Sequence, residues 1–489
     1  MAPGAPGRAV AVSCLDTEYA YTKSNALVDC SGCLSPMILS FDHRRALGPL
    51  CGSLLLCAAV SLGAAQTAHA AKAAKAVYGP GSASLYPAGA SRPSIRPRPS
   101  EFAGTAVSGH QAVSSGGPGA PAPAHARKKP SKPSKPVLHG NPARALVAFE
   151  AMQKSYYIEG SGLYDGEPFS YLWAFSQALA ATVSMANIPH LGVSLAHEIQ
   201  VRLIGLHSYL DTDNSGAAEG AYTSTLAAFD GTVAPPAGPG GTKYYDDNDW
   251  VGIELARLYE LTHEPGVLGT AEGIMAFEMA GWQTSPELGC PGGLPFSNAA
   301  DNTDRNTVTT APAAELALQL YRITGNAQYL QFAEMAYEWV RACLLQPSGM
   351  YADHISPQGV VEPTLWSYNQ GTMIGAGTLL YQATGNSAYL YQARQTAQAA
   401  LAYLTPERLG SETPFFPSVY FRNLLYLDSV THDPPGPTIA QAYVNYAWQH
   451  LRLSDNLFVA GSSASAELLV QAAIVQIYAL LSSPPSTYF

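Results

Sequence analysis

Positive charge is scarce where this chain carries its tryptophans and most of its tyrosines. Residues 141–489 hold 12 Lys and Arg against 31 Asp and Glu, a formal charge of −19, while residues 1–140 hold 14 against 5. The later part therefore lacks the clustered cations that neutralise phosphate, which excludes nucleic acid as a partner. Cysteine is sparse as well: of seven, only Cys290 and Cys343 lie beyond residue 140. Cys30-Ser31-Gly32-Cys33 has metal-like spacing but no second pair near it. No zinc pattern, Gly-x-Ser-x-Gly elbow, phosphate loop or dinucleotide fingerprint stands out, so neither a metal nor a cofactor is expected.

What is present divides into an N-terminal address and a long helical part. Residues 37–70 read as a secretory signal: His43-Arg44-Arg45, a largely apolar run over 47–65, then the small-residue site Ala68-His69-Ala70. A transmembrane anchor is the competing reading, but Pro49 and Gly52 interrupt the run and small residues end it. Cleavage after Ala70 and an extracellular protein without a stable membrane anchor are expected. A signal starting at Met37 makes residues 1–36 a mis-called extension. Residues 71–140 are rich in Ala, Pro, Ser and Gly and end in a basic run. They cannot bury a core and read as a disordered linker. Residues 141–489 are the candidate catalytic domain. In an exported protein Cys290 and Cys343 could pair. Cys343 falls on an apolar helix face, so two buried thiols is the equal alternative.

From residue 141 the chain repeats a helix pair about every 60 residues. Leu258-Tyr259-Glu260-Leu261-Thr262-His263, Leu320-Tyr321-Arg322-Ile323-Thr324-Gly325-Asn326 and Leu380-Tyr381-Gln382-Ala383-Thr384-Gly385-Asn386 each read as a helix end and a tight turn. Apolar periods predict eleven or twelve helices, from 143–156 to 464–482, with long loops at 209–248, 283–310, 346–369 and 404–436. Hairpins in that number form either an all-α (α/α)6 barrel or an open solenoid. Alternation between an inner and an outer ring sends all four loops to one face.

At the exit of the first loop stands Tyr244-Tyr245-Asp246-Asp247-Asn248-Asp249-Trp250. The plainer reading is helix capping, since Asp and Asn suit a helix start. The sharper one is a catalytic pair. Adjacent Cα atoms are about 3.8 Å apart. Diverging side chains can place two carboxyls roughly 5 Å apart, the separation of a retaining glycosidase. Flanking Tyr245 and Trp250 offer faces for a sugar to stack on.

Three stretches in order carry a resemblance: the acidic run 245–250, the Leu-Tyr-x-x-Thr-Gly-Asn turns, and Trp366-Ser367-Tyr368-Asn369-Gln370-Gly371. Together they resemble glycoside hydrolase family 76, the α-1,6-mannanases, over roughly residues 145–482. The resemblance implies an (α/α)6 barrel whose paired aspartates act with retention, Asp246 as nucleophile and Asp247 as general acid/base. The expected partner is α-mannan polysaccharide or oligosaccharide, bound by a monomer. Tyr245, Asp249, Trp250, Asn306, Asp353, Tyr368, Asn369 and Gln370 are candidate substrate contacts, with loop bridging the alternative for Asn306. For Asp353 a turn is the competing role, and for residues 368–370 the capping of a helix. Residues 231–243, with Pro235-Pro236 and Gly238 to Gly241, form a long loop that departs from the family pattern. Asp211-x-Asp213-x-Ser215-Gly216 starts like a calcium loop but has Tyr222 at its twelfth position. A mannan transglycosidase and an inactive wall-adhesion barrel remain as alternatives. Barrels acting on uronic acids fit poorly, because an acidic cleft repels an anionic substrate.

Overall fold

The computed structural model describes residues 138–212, 226–460 and 466–489. The extension, the signal, nearly all of the linker, and Asp213, Ser215, Gly216 and Tyr222 lie outside the described residues. Described helices are α1 (Gly140–Tyr156), α2 (Leu172–Ala186), α3 (Ala196–His207), α4 (Tyr245–Thr262), α5 (Pro265–Gly281), α6 (Thr307–Thr324), α7 (Ala327–Leu344), α8 (Ser367–Thr384), α9 (Ser387–Tyr403), the short α10 (Pro406–Ser411), α11 (Phe415–Thr431), α12 (Gly436–Tyr446, prolonged by a π turn Ala447–Leu451) and α13 (Leu468–Leu480).

The turns explain the repeat. Gly325 and Gly385 sit at φ +72° and +71° just past α6 and α8, a conformation glycine adopts without a Cβ penalty. The next residue, Asn326 or Asn386, caps the following helix by accepting the N–H of Gln328 or Ala388 at 3.1 Å. Such a cap is worth about 1 kcal/mol. His263 and His432 take the same left-handed position after α4 and α11.

Packing closes a ring. Helices α2, α4, α6, α8, α11 and α13 pack each against the next, and α13 packs back on α2. Helices α3, α5, α7, α9 and α12 lie outside as the hairpin partners of the first five, and α1 pairs with α13. This is the (α/α)6 barrel, and the return of α13 to α1 and α2 excludes the open solenoid. The outer helices are one-sided: α7 buries Tyr329, Phe332, Ala336, Trp339 and Val340 while Met335 faces water. The inner helices are buried all round and carry polar groups in the ring's centre. There Glu254 pairs with Arg257 at 2.5 Å and Arg422 at 2.6 Å, and Gln476 bonds Gln177 at 3.0 Å.

The predicted loop 404–436 is wrong. It holds α10 and the whole inner helix α11. A helix buried on every side has no polar face, so Phe-Phe-Pro-Ser-Val-Tyr-Phe-Arg-Asn-Leu-Leu shows no amphipathic period. The same cause delayed the starts of α4, α6 and α8 by three or four residues, because their first turns are buried yet polar.

Long connections run into the inner-helix N-termini and gather on one face. Strand β1 (Leu210–Asp211) pairs antiparallel with β2 (Ala228–Phe229), and β3 (Arg305–Asn306), β4 (His354–Ile355) and β5 (Val361–Glu362) make a small antiparallel sheet. Cys290 and Cys343 are joined as a disulfide, Cα to Cα 6.2 Å, which ties the loop before β3 to α7. Arg305 reinforces that loop by donating to the carbonyl of Gly289 at 2.5 Å.

Candidate active site

Asp246 and Asp247 lie in the first turn of α4, at the loop-bearing mouth of the ring, 9 % and 7 % exposed. Neither is the N-cap, which is Tyr244, and no side chain caps the helix, though both stand in the first turn, where acids suit the helix dipole. Asn248, the third polar residue, is a strap. Its amide accepts the N–H of Phe229 at 2.9 Å and donates to the carbonyls of Phe229 at 3.0 Å and Tyr244 at 2.8 Å. Five residues earlier, the buried Lys243 ammonium lies 2.6 Å from Asp211 and 3.3 Å from Asp230. Together these bonds pin β1, β2 and the start of α4 into one unit, and residues 231–243 fold back on themselves, the N–H of Gly231 donating to Thr242 and that of Gly240 to Val233. Asp211, the first residue of the supposed calcium loop, is thus in an ion pair. Among the described residues no group of three His, Cys, Asp or Glu could hold a metal ion.

The two carboxyls are not equivalent. Burial raises Asp246 to about 7, a rise already reduced by the N–H groups of Asp246 and Asp247 at the helix start. Asp247 is pushed well above the ordinary carboxyl range, by burial first and then by the charge of Asp246. Asp246 is therefore the easier of the two to ionise and Asp247 the easier to keep protonated.

Around the pair the mouth is aromatic. Phe415 contacts Trp173 at 5.4 Å and Trp250 at 5.6 Å between ring centroids, and Tyr368 packs on Phe416 at 4.1 Å. Tyr368 belongs to the site, since its hydroxyl feels the charges of Asp353 and Asp246. Asn369 donates to Asp353 at 3.3 Å, and Asp353 holds His354 at 3.0 Å. The bond to Asp353 is the largest cause of the rise in the His354 pKa, and burial works against it. Asn306 is opposite His354 across the β3–β4 ladder. Tyr368, Asn369, Asp353 and Asn306 thus form one group beside the pair.

Four expected contacts fall elsewhere. Tyr245 is 2 % exposed and stacked on Phe277 of α5 at 4.6 Å, turned into the wall between the helices. Trp250 is 4 % exposed beneath Phe415, with no open face for a sugar. Gln370 is a second strap: it accepts the N–H of Tyr351 at 2.7 Å and donates to the carbonyls of Tyr351 at 2.9 Å and Trp366 at 3.0 Å. Asp249 is fully buried behind the pair. Sequence reasoning also missed Trp173, Phe415 and Phe416. The two phenylalanines opened the helix that had no visible period, and Trp173 had only its aromatic character to mark it.

Geometry and chain pattern define a class, an all-helical toroid with two adjacent carboxyls at its mouth. The chain belongs to glycosyl hydrolase family 76, whose model matches residues 144–423, more than half of the chain. Among curated proteins it is similar to the mannan endo-1,6-alpha-mannosidase DCW1 of Saccharomyces cerevisiae, 26 % identical over 183 residues, which are 34 % of this chain and 40 % of that one. The matched stretch spans less than half of that relative's length. Among solved structures it shares the fold of the family 76 mannosidase Bt3792 of Bacteroides thetaiotaomicron, with a TM-score of 0.61, 21 % identity, and coverage of 70 % of this chain and 98 % of that one. It also resembles the α-1,6-mannanase of Salegentibacter sp., solved with α-1,6-mannotriose as an inactive variant carrying asparagine for two consecutive aspartates. That comparison gives a TM-score of 0.54 at 21 % identity over 70 % of this chain and 99 % of that one.

Proposed function

We propose that this chain is a secreted endo-acting glycoside hydrolase that cuts α-1,6-mannosidic bonds in a mannan backbone with retention. The observation that carries the reading is the pair of adjacent buried carboxyls at the loop-bearing mouth, both raised by burial and too close to ionise together. Relatives acting on α-1,6-mannan support the substrate. In the first step the Asp246 carboxylate attacks C1 of the mannose, the bond from C1 to the leaving oxygen breaks, and Asp247 gives that oxygen its proton. In the second, Asp247 takes a proton from water, the water oxygen bonds to C1, and Asp246 leaves as carboxylate. Tyr368, Asp353 and Asn306 hold hydroxyls of the sugar, the buried Asn369 orients Asp353, and Trp173 and Phe416 line its approach.

Incubation with α-1,6-mannan, followed by chromatography of the products, tests the activity. Shorter oligosaccharides of retained anomeric configuration by NMR are expected. Products longer than the substrate would make the protein a transglycosidase, and no change at all would leave a binding module. Asp246→Asn should abolish turnover on every substrate. Asp247→Asn should keep its first step on an activated aryl mannoside, accumulate the mannosyl ester and be rescued by azide. N-terminal sequencing of exported material tests secretion: the mature chain should begin after Ala70.

A further inference from the structure

Behind the pair lies a set of carboxyls that the mechanism above does not use. Asp249 follows Asp246 by three residues on α4, which puts the two on one helix face. Glu278 faces them from α5, the hairpin partner of α4. Both are 0 % exposed, and neither oxygen of either residue has a hydrogen-bond partner. Oδ1 of Asp246 is likewise buried and unpartnered. Three neighbouring carboxyls thus have five buried oxygens aimed at no donor.

The surrounding charges do not offset this. Those acting on Asp249 are all negative: Glu278 most strongly, then Asp246, then Glu315 of α6. Glu278 feels Asp246, and Tyr245 feels Glu278. From α8 Tyr368 faces Asp246, and near the loop Tyr209 faces Asp247. The nearest cations are committed elsewhere, Lys243 to Asp211 and Asp230, Arg257 and Arg422 to Glu254. Two or three charges cannot coexist in such a pocket, and a carboxyl that keeps its proton becomes a donor.

We propose that Asp249 is a positioning residue which stays protonated and donates its O–H to Asp246 Oδ1, with Glu278 protonated behind it, so that the pocket's single negative charge rests on Asp246. The inference rests on Asp246 being the nucleophile. The proton inventory explains why acids surround a group that must itself be ionised. It also explains why Asp249, although next in the acidic run, never reaches the sugar.

The test is the pH dependence of kcat/KM on a soluble α-1,6-mannooligosaccharide. Asp249→Asn keeps a donor of similar shape, so its acid limb should stay where it is in the wild type, with kcat/KM within about threefold. Asp249→Leu keeps the size without the donor. Its acid limb should move up by about one to two units, the worth of one hydrogen bond to a carboxylate, with KM unchanged. If the asparagine variant loses as much as the leucine variant, Asp249 acts as a charge and the proposal falls; it falls too if the leucine variant keeps the wild-type limb. Infrared difference spectra at neutral pH need neither turnover nor the leucine variant. The protonated-carboxyl band should lose one residue's intensity in Asp249→Asn, and an unchanged band overturns the proposal. Asp246→Asn, run in parallel, separates the two ideas. Full activity in that variant would sink the nucleophile assignment, while the infrared result would still report on Asp249.

Discussion

Gln370→Leu should be one of the more damaging single substitutions in the domain. It removes three hydrogen bonds and strands the buried N–H and carbonyl of Tyr351. A cost of about 2–4 kcal/mol is expected in chemical denaturation. Tyr351 is two residues from Asp353, so loosening it should raise KM more than it lowers kcat. The strap is not unique. Gln471 binds both backbone groups of Phe458 in the same way, at 2.8 and 2.6 Å, and Asn248 binds those of Phe229. All three are the fourth residue of an inner helix, and each reaches back to the loop before it. In sequence an amide beside Tyr368 and Asn369 looks like a sugar ligand. Nothing in the residue type distinguishes an amide spent on backbone from one left for hydroxyls, and only the neighbouring loop decides it.

At the scale of elements, the outer helices and the turns were legible because each has one face in water and a glycine or asparagine at a fixed offset. Helix α11 was not, and with it went Phe415 and Phe416. The acidic run was legible as chemistry but not as orientation. Helix periodicity is 3.6 residues, so five consecutive polar and aromatic positions cannot all reach the mouth, and Asp249 lies a turn deeper on the face of Asp246. Tyr245 turned into the wall, Asp249 to the rear, and only Asp246 and Asp247 remained at the mouth. The disulfide is an element-level device of another kind. Replacing both Cys290 and Cys343 by serine should cost about 2–4 kcal/mol in denaturant unfolding. Activity of the folded fraction should hold within a few fold, because Arg305 still anchors the loop through Gly289. A loss of turnover without a loss of stability would contradict this assignment.

For the whole molecule the buried acids set the response to pH. Asp246 rises from 3.8 to about 7, Glu412 from 4.5 to about 7, and Asp230 from 3.8 to about 6, each mainly through burial. Between the unfolded and folded values the native chain holds protons that the unfolded chain has released. The unfolded state then binds fewer protons, and stability falls as pH rises. That contribution is whole below about pH 4 and is lost as pH passes through about 7. Thermal unfolding should therefore occur at higher temperature at pH 5 than at pH 8, and the reverse order would contradict the burial of these groups.

The return of α13 to the start of the domain also bears on time. Gln476 meets Gln177 across 299 residues of chain, and Asn141 meets Gln441 across 300. A ribosome making this protein finishes α1 and α2 long before their partner exists. Their apolar faces must wait, uncovered, until the last helix emerges. A chain arrested after Tyr446 keeps five of the six hairpins yet leaves a gap with two bare edges, so it should clump where the full-length protein does not. Emergence of α13 is the moment at which this ring becomes a closed object.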